Sequence, residues 1–114
     1  MYRFSKQRRL LKKSDYDHVF QQAKKLVTPE FIFLYRINNL GHGRLGLALS
    51  KKAVAKAHDR NRLKRLLRES FRRRELPTID VVVLARSGVA DLDKPNLTIK
   101  LGKAWDRLSA LCNK

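Results

Sequence analysis

Between Arg60 and Phe71 the sequence carries two patterns at once. Leu63, Leu66, Leu67, Ser70 and Phe71 recur at helical spacing, and at roughly 100° per residue they share one face. Asn61, Arg65, Arg68 and Arg72 point the opposite way, with Arg62 and Lys64 on the flanks. Such a helix buries its leucines on an apolar surface and turns a row of cations outward. The fold must therefore supply a sheet or another helix to receive one face, and a polyanion to meet the other.

The cost of the pattern points the same way. Arg68 and Arg72 lie four apart, as do Lys64 and Arg68, and like charges at that spacing destabilise an isolated helix by a few tenths of a kcal/mol per pair. Glu69 offers relief to Arg65 alone. Charge is also segregated along the chain. Of the formal +17, residues 51–74 carry +9 and residues 3–13 carry +6, leaving +2 for everything else. This is the electrostatic footprint of a nucleic-acid binder. An acidic membrane fits less well, because the basic helix lacks an apolar face rich in Trp and Phe.

A chain of 114 residues with 43% apolar content is expected to form one domain, residues 1–114, with a modest core. Its single cysteine, Cys112, allows no intrachain disulfide and fits a reducing compartment. The longest apolar run, Val81–Ala85, is far too short for a membrane span. The N-terminus shows no secretory h-region. A cytoplasmic protein is the expectation.

Residues 1–13 read as a basic extended arm. Ser14 and Asp17 stand at capping-box spacing before a helix whose stripe is Tyr16, Val19, Phe20 and Ala23. Thr28-Pro29 breaks the chain. Phe31–Ile37 reads as a strand, Asn38–Gly43 as a turn, and Leu45–Ser50 as a strand pairing back in a hairpin. The basic helix is predicted from about Asp59 to Arg73, ended by Pro77. A buried strand follows at Asp80–Ala85. Pro95 opens a last helix with Leu97, Leu101, Ala104, Trp105, Leu108 and Leu111 on one stripe.

A protein-borne catalytic centre is hard to find. His18, His42 and His58 have no partner at metal-ligand spacing. Asp91 and Asp93 precede Pro95 and read as helix-capping residues. RNA cleavage by acid–base or two-metal chemistry would need a matched pair or a carboxylate cluster. Tyr16 and Phe20 admit two readings: core rings, or a stacking platform for unpaired bases. Asn61 either caps the helix or bonds the polyanion. Lys51 and Lys52 either meet phosphates or sit in an exposed loop. Phe31, Phe33 and Tyr35 share one strand face and Ile32 and Leu34 the other, and the pattern does not say which face is open.

Arg60-Asn-Arg-Leu-Lys-Arg-Leu-Leu-Arg-Glu69 resembles the arginine-rich signature helix of the protein subunit of bacterial ribonuclease P. Three further blocks agree in order and spacing: Asp15–Phe20, Arg44–Lys52 and Asp80–Arg86. The first aromatic, often Phe in the family, is Tyr16 here. The resemblance implies an α+β fold, a small two-layer α/β sandwich with a mixed or mostly antiparallel sheet and a left-handed βαβ crossover, an exception to the usual rule. It implies removal of the 5′ leader from precursor transfer RNA by a catalytic RNA subunit, with the protein as accessory and no obligate protein partner. Magnesium ions are implied as cofactor, held mainly by the RNA. The RNA subunit would be met by Lys51, Lys52, Arg60, Asn61, Arg62, Lys64, Arg65, Arg68 and Arg72, and the leader by Tyr16 and Phe20. The alternatives are a ribosomal or general RNA-binding protein, and a DNA reader, although the latter would have fewer arginines in a helix-turn-helix frame.

Overall fold

The computed structural model describes residues 9–10, 12–38, 40–74 and 78–112. Helix α1 spans Lys13–Gln21, strand β1 Lys24–Val27, β2 Phe31–Ile37, β3 Arg44–Ala48, helix α2 Ala57–Arg72, β4 Ile79–Ala85 and helix α3 Lys94–Cys112, with a short 3-10 turn at Val89–Asp91. The strands form one open sheet in the order β1-β2-β4-β3. The first two junctions are antiparallel and β3 runs parallel to β4. This is the mixed α+β architecture expected.

The pairing of β3 departs from the hairpin that the sequence suggested for Leu45–Ser50. Gly46 and Leu47 lie opposite Val82 and Val83, and α2 makes the crossover between the two parallel strands. The hairpin partner of β2 is β1, a strand with no clear signal in the sequence. The Thr28 amide donates to the Phe31 carbonyl at 2.9 Å, and the Phe31 amide donates to Thr28 Oγ1 at 3.0 Å. Thr28-Pro29 thus closes a hairpin. Helix α1 correspondingly ends before Ala23, and it begins one residue earlier than Ser14. Asp15 caps its first turn by accepting from the Lys12 amide at 3.3 Å.

Alternation along β2 separates two layers. Phe31, Phe33 and Tyr35 point into the main core with Leu63, Leu67 and Phe71 of α2 and Leu97, Leu101 and Trp105 of α3. Trp105 is its centre, edge-on to Phe33 at 5.2 Å and to Phe71 at 5.7 Å between ring centroids. Its indole N–H donates to Ser70 Oγ at 2.7 Å, so the one polar residue on the leucine stripe satisfies the one polar atom of the tryptophan. On the opposite sheet face a smaller cluster of Leu10, Val19 and Val82 seats α1, with Tyr16, Ala23, Leu34, Ala48 and Leu84 at its margin.

Helix α2 runs slightly earlier than expected and ends at Arg72. Pro77, assigned from sequence as its stop, lies outside the described residues. Arg74, two residues past the end of the helix, crosses to α3 and pairs with Asp106 at 2.6 Å. Its guanidinium fills the space that a side chain on Gly102 would occupy, 2.8 Å from an ideal Cβ. At the start of α3, Asp93 Oδ1 accepts from the Asn96 amide at 3.1 Å, as its capping assignment requires. Asp91 ends the 3-10 turn. Of the arm, residues 1–8 and 11 lie outside the described residues. Arg9 and Leu10 lie along β3, where the Leu10 amide donates to the Leu45 carbonyl at 3.0 Å.

Candidate nucleic-acid interface

The buried stripe of α2 is Leu63, Leu66, Leu67 and Phe71, so the outward row follows from the helix's own geometry. Asn61, Arg62, Arg65 and Arg68 are exposed, and Lys64 and Arg72 are half-buried. Together with Arg9 and Glu69, five of them (Asn61, Lys64, Arg65, Arg68 and Arg72) line a shallow depression of about 420 Å³. Asn61 is the fifth residue of the helix, past the first turn, so its capping alternative falls and its amide belongs to this surface. Glu69 forms no ion pair with Arg65 among those of the described residues; the expected local relief is absent.

Arg60 is turned elsewhere. Its Nη1 donates to the carbonyls of Val54 and Ala55, both at 2.9 Å. That guanidinium holds the turn before α2 against the helix. The same turn places Lys51 and Lys52. Ser50 Oγ accepts from the Ala53 amide at 3.1 Å and the Ser50 carbonyl accepts from the Val54 amide at 3.0 Å, while buried Val54 pins the turn to the core. Both lysines stand exposed on its outside.

Tyr16 and Phe20 are neighbours on α1, with ring centroids 6.5 Å apart, but their environments differ. Phe20 is 46% exposed. Tyr16 is half-buried: its ring lies against Gly46, and its hydroxyl accepts from the Leu47 amide at 3.2 Å. The core and platform readings therefore divide between the two rings.

The open sheet face is the one that bears Ile32 and Leu34. Both are half-exposed, as are Ala48 and Leu84 on the same face, whereas Phe31, Phe33 and Tyr35 are sealed beneath the helices. Helix α1 packs over part of this face, an apolar strip of the sheet stays half-exposed there, and Phe20 is the exposed ring of the helix. Sequence alone could not assign this strip, because either parity of β2 is apolar enough to be core. A second connection was also invisible in sequence. Arg9, Leu10, Tyr16, Leu45, Leu47, Lys64 and Arg68 line one depression of about 190 Å³. Tyr16 and the cations Lys64 and Arg68, expected on separate surfaces, line it together.

Two arginines of the sheet reach α1. Arg44 on β3 chelates the carboxylate of Asp80, with Nε 2.8 Å from Oδ1 and Nη2 2.7 Å from Oδ2, and its Nη1 lies 3.7 Å from Asp15 of α1. These hydrogen bonds push the Arg44 pKa above its ordinary value. Asp80 is 2% exposed and also accepts from Asn38 Nδ2 at 2.7 Å. Arg36 on β2 reaches the other end of α1, where its Nη1 donates to the His18 carbonyl at 2.8 Å.

Among the described residues no group of three or more His, Cys, Asp or Glu side chains is placed to hold a metal ion. Cys112 sits half-buried at the end of α3, and burial pushes its thiol pKa up, away from nucleophilic use. No helix among the described residues is long and apolar enough to cross a membrane.

Comparison with known proteins gives a consistent result. The family profile described as Ribonuclease P matches residues 4–109. The chain is 56% identical over its whole length to the ribonuclease P protein component of Legionella pneumophila strain Corby, and covers 100% of that protein. It is 52% identical over 106 residues to the ribonuclease P protein component of Escherichia coli strain K12 / DH10B, with 91% of this chain and 89% of the relative covered. Among solved structures, the RNase P protein from Thermotoga maritima superimposes with a TM-score of 0.77 at 33% identity, over 87% of this chain and 96% of that one. The Staphylococcus aureus RNase P protein, at 24% identity and a TM-score of 0.74 over 92% and 94% of the two chains, shares the fold.

Proposed function

The chain belongs to the bacterial ribonuclease P protein family, and on that footing we propose that its two surfaces divide the work of binding RNA. As a family member it is the accessory protein subunit of an endoribonuclease that matures the 5′ end of transfer RNA, and its partner is the ribonuclease P RNA. We assign the row Asn61, Arg62, Lys64, Arg65, Arg68 and Arg72, with Lys51 and Lys52 at the preceding turn, to the phosphates of that RNA. We assign the cleft between α1 and the strip Ile32, Leu34 and Leu84 to the single-stranded leader of precursor transfer RNA. The observation that carries the second assignment is Phe20, a large ring left 46% exposed on the helix that packs over this half-exposed apolar face.

The chemistry of the cleft suits a substrate whose leader varies. Stacking on an aromatic face contributes about 1–3 kcal/mol per base and tolerates any base. Tyr16 holds the wall from behind, and Lys64 and Arg68 line the same depression as Tyr16, so a strand leaving the cleft meets cations at once. The magnesium ions implied by the family do not find a cage among the described side chains. The carboxylates of Asp15 and Asp80 are engaged by Arg44. The RNA is therefore the proposed holder of the metal, and the protein's part is to bind and orient. The proposed place of action is the bacterial cytoplasm.

Reconstitution tests this reading. Added to a bacterial ribonuclease P RNA at low magnesium, the protein should restore cleavage of a leader-bearing precursor. Unchanged cleavage, with duplex DNA bound as tightly as that RNA, would overturn it.

A further inference from the structure

Helix α1 has nine residues, too few to hold a helical conformation or a fixed orientation without tertiary contacts. Its placement is therefore a property of what grips it. Val19 is fully buried beneath it and Tyr16 meets the β3 edge. The remaining grips form a row across the sheet. Arg36 of β2 and Arg44 of β3 are both in register with Asp80 of β4, so two guanidinium groups flank one buried carboxylate beneath α1. Asp80 takes both arms of Arg44, which leaves Nη1 of Arg44 facing Asp15 in the first turn of the helix at 3.7 Å. Arg36 is left to reach the last turn, 2.8 Å from the His18 carbonyl and 3.5 Å from His18 Nδ1. One cation meets the acidic first turn, and the other meets carbonyls at the negative end of the helix, each arrangement being electrostatically favourable.

We propose that Arg36 and Arg44 are positioning residues that clamp the two ends of α1 and thereby set the width of the cleft between Phe20 and the Ile32/Leu34 strip. The proposal rests on the assignment of the leader to that cleft. The clamp acts through placement: Arg36 holds the turn that bears Phe20, two residues beyond His18. A lysine at position 36 keeps the positive charge but ends one atom shorter and lacks the rigid planar guanidinium that carries Nη1 to both the carbonyl and the ring nitrogen of His18.

The test measures binding of leader-bearing precursor and of mature transfer RNA to the reconstituted holoenzyme. Phe20→Ala should lower the preference for precursor. Arg36→Lys should lower it by about fivefold, and the double variant Phe20→Ala/Arg36→Lys should be no worse than Phe20→Ala alone, because the two residues act through one surface and their effects do not add. Asp15→Asn, which loosens the Arg44 end without touching the Arg44–Asp80 chelate, should shift the preference in the same direction. Full preference retained in Arg36→Lys would show that charge suffices and would overturn the clamp. Additive losses would overturn it too, by placing Arg36 on a separate contact. No change in Asp15→Asn would remove Arg44 from the device. If Phe20→Ala itself leaves the preference intact, the cleft assignment fails and the clamp falls with it.

Discussion

The hydroxyl of Tyr16 accepts a hydrogen bond from the Leu47 amide at 3.2 Å, closing a backbone position on the outer edge of β3. This gives the phenolic oxygen a structural role and leaves Phe20 as the exposed ring of the pair. Tyr16→Phe should lower stability by about 1 kcal/mol, the net worth of an ordinary hydrogen bond, with leader discrimination intact. Phe20→Ala should show the reverse: a nearly unchanged denaturation midpoint and a loss of about 1–3 kcal/mol in precursor relative to mature transfer RNA binding. Urea titration and the two binding curves, measured on both variants, separate these outcomes. A Phe20→Ala protein that loses both substrates equally would contradict the assignment.

Gly46 is required by that same ring. An ideal Cβ there would stand 2.8 Å from Tyr16 Cε1 and 2.9 Å from Leu10 Cδ1. Both neighbours are packed, so Gly46→Ala should cost about 1–3 kcal/mol through overpacking. The change should also alter Tyr16 fluorescence or its ring resonances. A stability equal to the parent's would mean that α1 shifts freely, against the tight seating described above.

The arginines of α2 should separate by role. Arg65→Ala with Arg68→Ala should leave folding intact, weaken binding to the ribonuclease P RNA, and reduce the salt slope of log K by roughly 1.4–1.8, since each lost phosphate contact contributes about 0.7–0.9. Arg60→Ala should instead lower stability by about 1–2 kcal/mol, because the carbonyls of Val54 and Ala55 lose a charged donor. Its salt slope should change little. Titrations at several salt concentrations, paired with thermal melts, read both quantities.

Asp80→Ala should be among the most damaging single changes in the sheet. It would leave Arg44 without its bidentate partner and take from Asn38 Nδ2 the nearer of its two acceptors, the other being the His42 carbonyl at 3.2 Å. Breaking a buried pair from one side costs about 3–5 kcal/mol, and the value should lie near the lower end because Arg44 retains some solvent contact. Chemical denaturation measures it directly. A cost below about 1 kcal/mol would show that the row across β2, β4 and β3 contributes little.

Burial raises the Cys112 thiol pKa, opposed to a smaller degree by Lys24. In the folded chain the thiol therefore stays protonated to higher pH than in the unfolded chain. The stability linked to it is fully present below the unfolded thiol's pKa and is lost as pH rises through the raised folded value. Alkylation by iodoacetamide at mildly alkaline pH should be slower in the folded protein than in urea. Equal rates would show that the thiol is freely solvated.

How much of this could be read from sequence depended on how local each signal was. The α2 stripe was legible because Leu63, Leu66, Leu67 and Phe71 and the cations between them repeat within the helix itself. The α3 stripe was legible for the same reason. Strand β1 was missed because Lys24-Lys25-Leu26-Val27 offers a single buried residue, Leu26, and an edge strand of that kind has almost no periodicity to find. The parallel pairing of β3 with β4 joins residues separated by a whole helix, whereas a hairpin is the local alternative for a strand after a turn. The cleft required knowing which parity of β2 faces the helices, and only packing against Trp105 decides that. Arg60 looked like its neighbours in α2 because a motif records residue type and not the direction of a guanidinium.

The two edges of the sheet bear on how the free subunit behaves before it meets RNA. An unpaired edge strand is a template for another chain. On β3, the Leu10 amide and the Tyr16 hydroxyl occupy the Leu45 carbonyl and the Leu47 amide. On β1, Lys24 and Lys25 are exposed and would be brought against a second copy of the same lysines. One edge is plugged and the other is charged, so strand-by-strand polymerisation is disfavoured at both margins of the molecule.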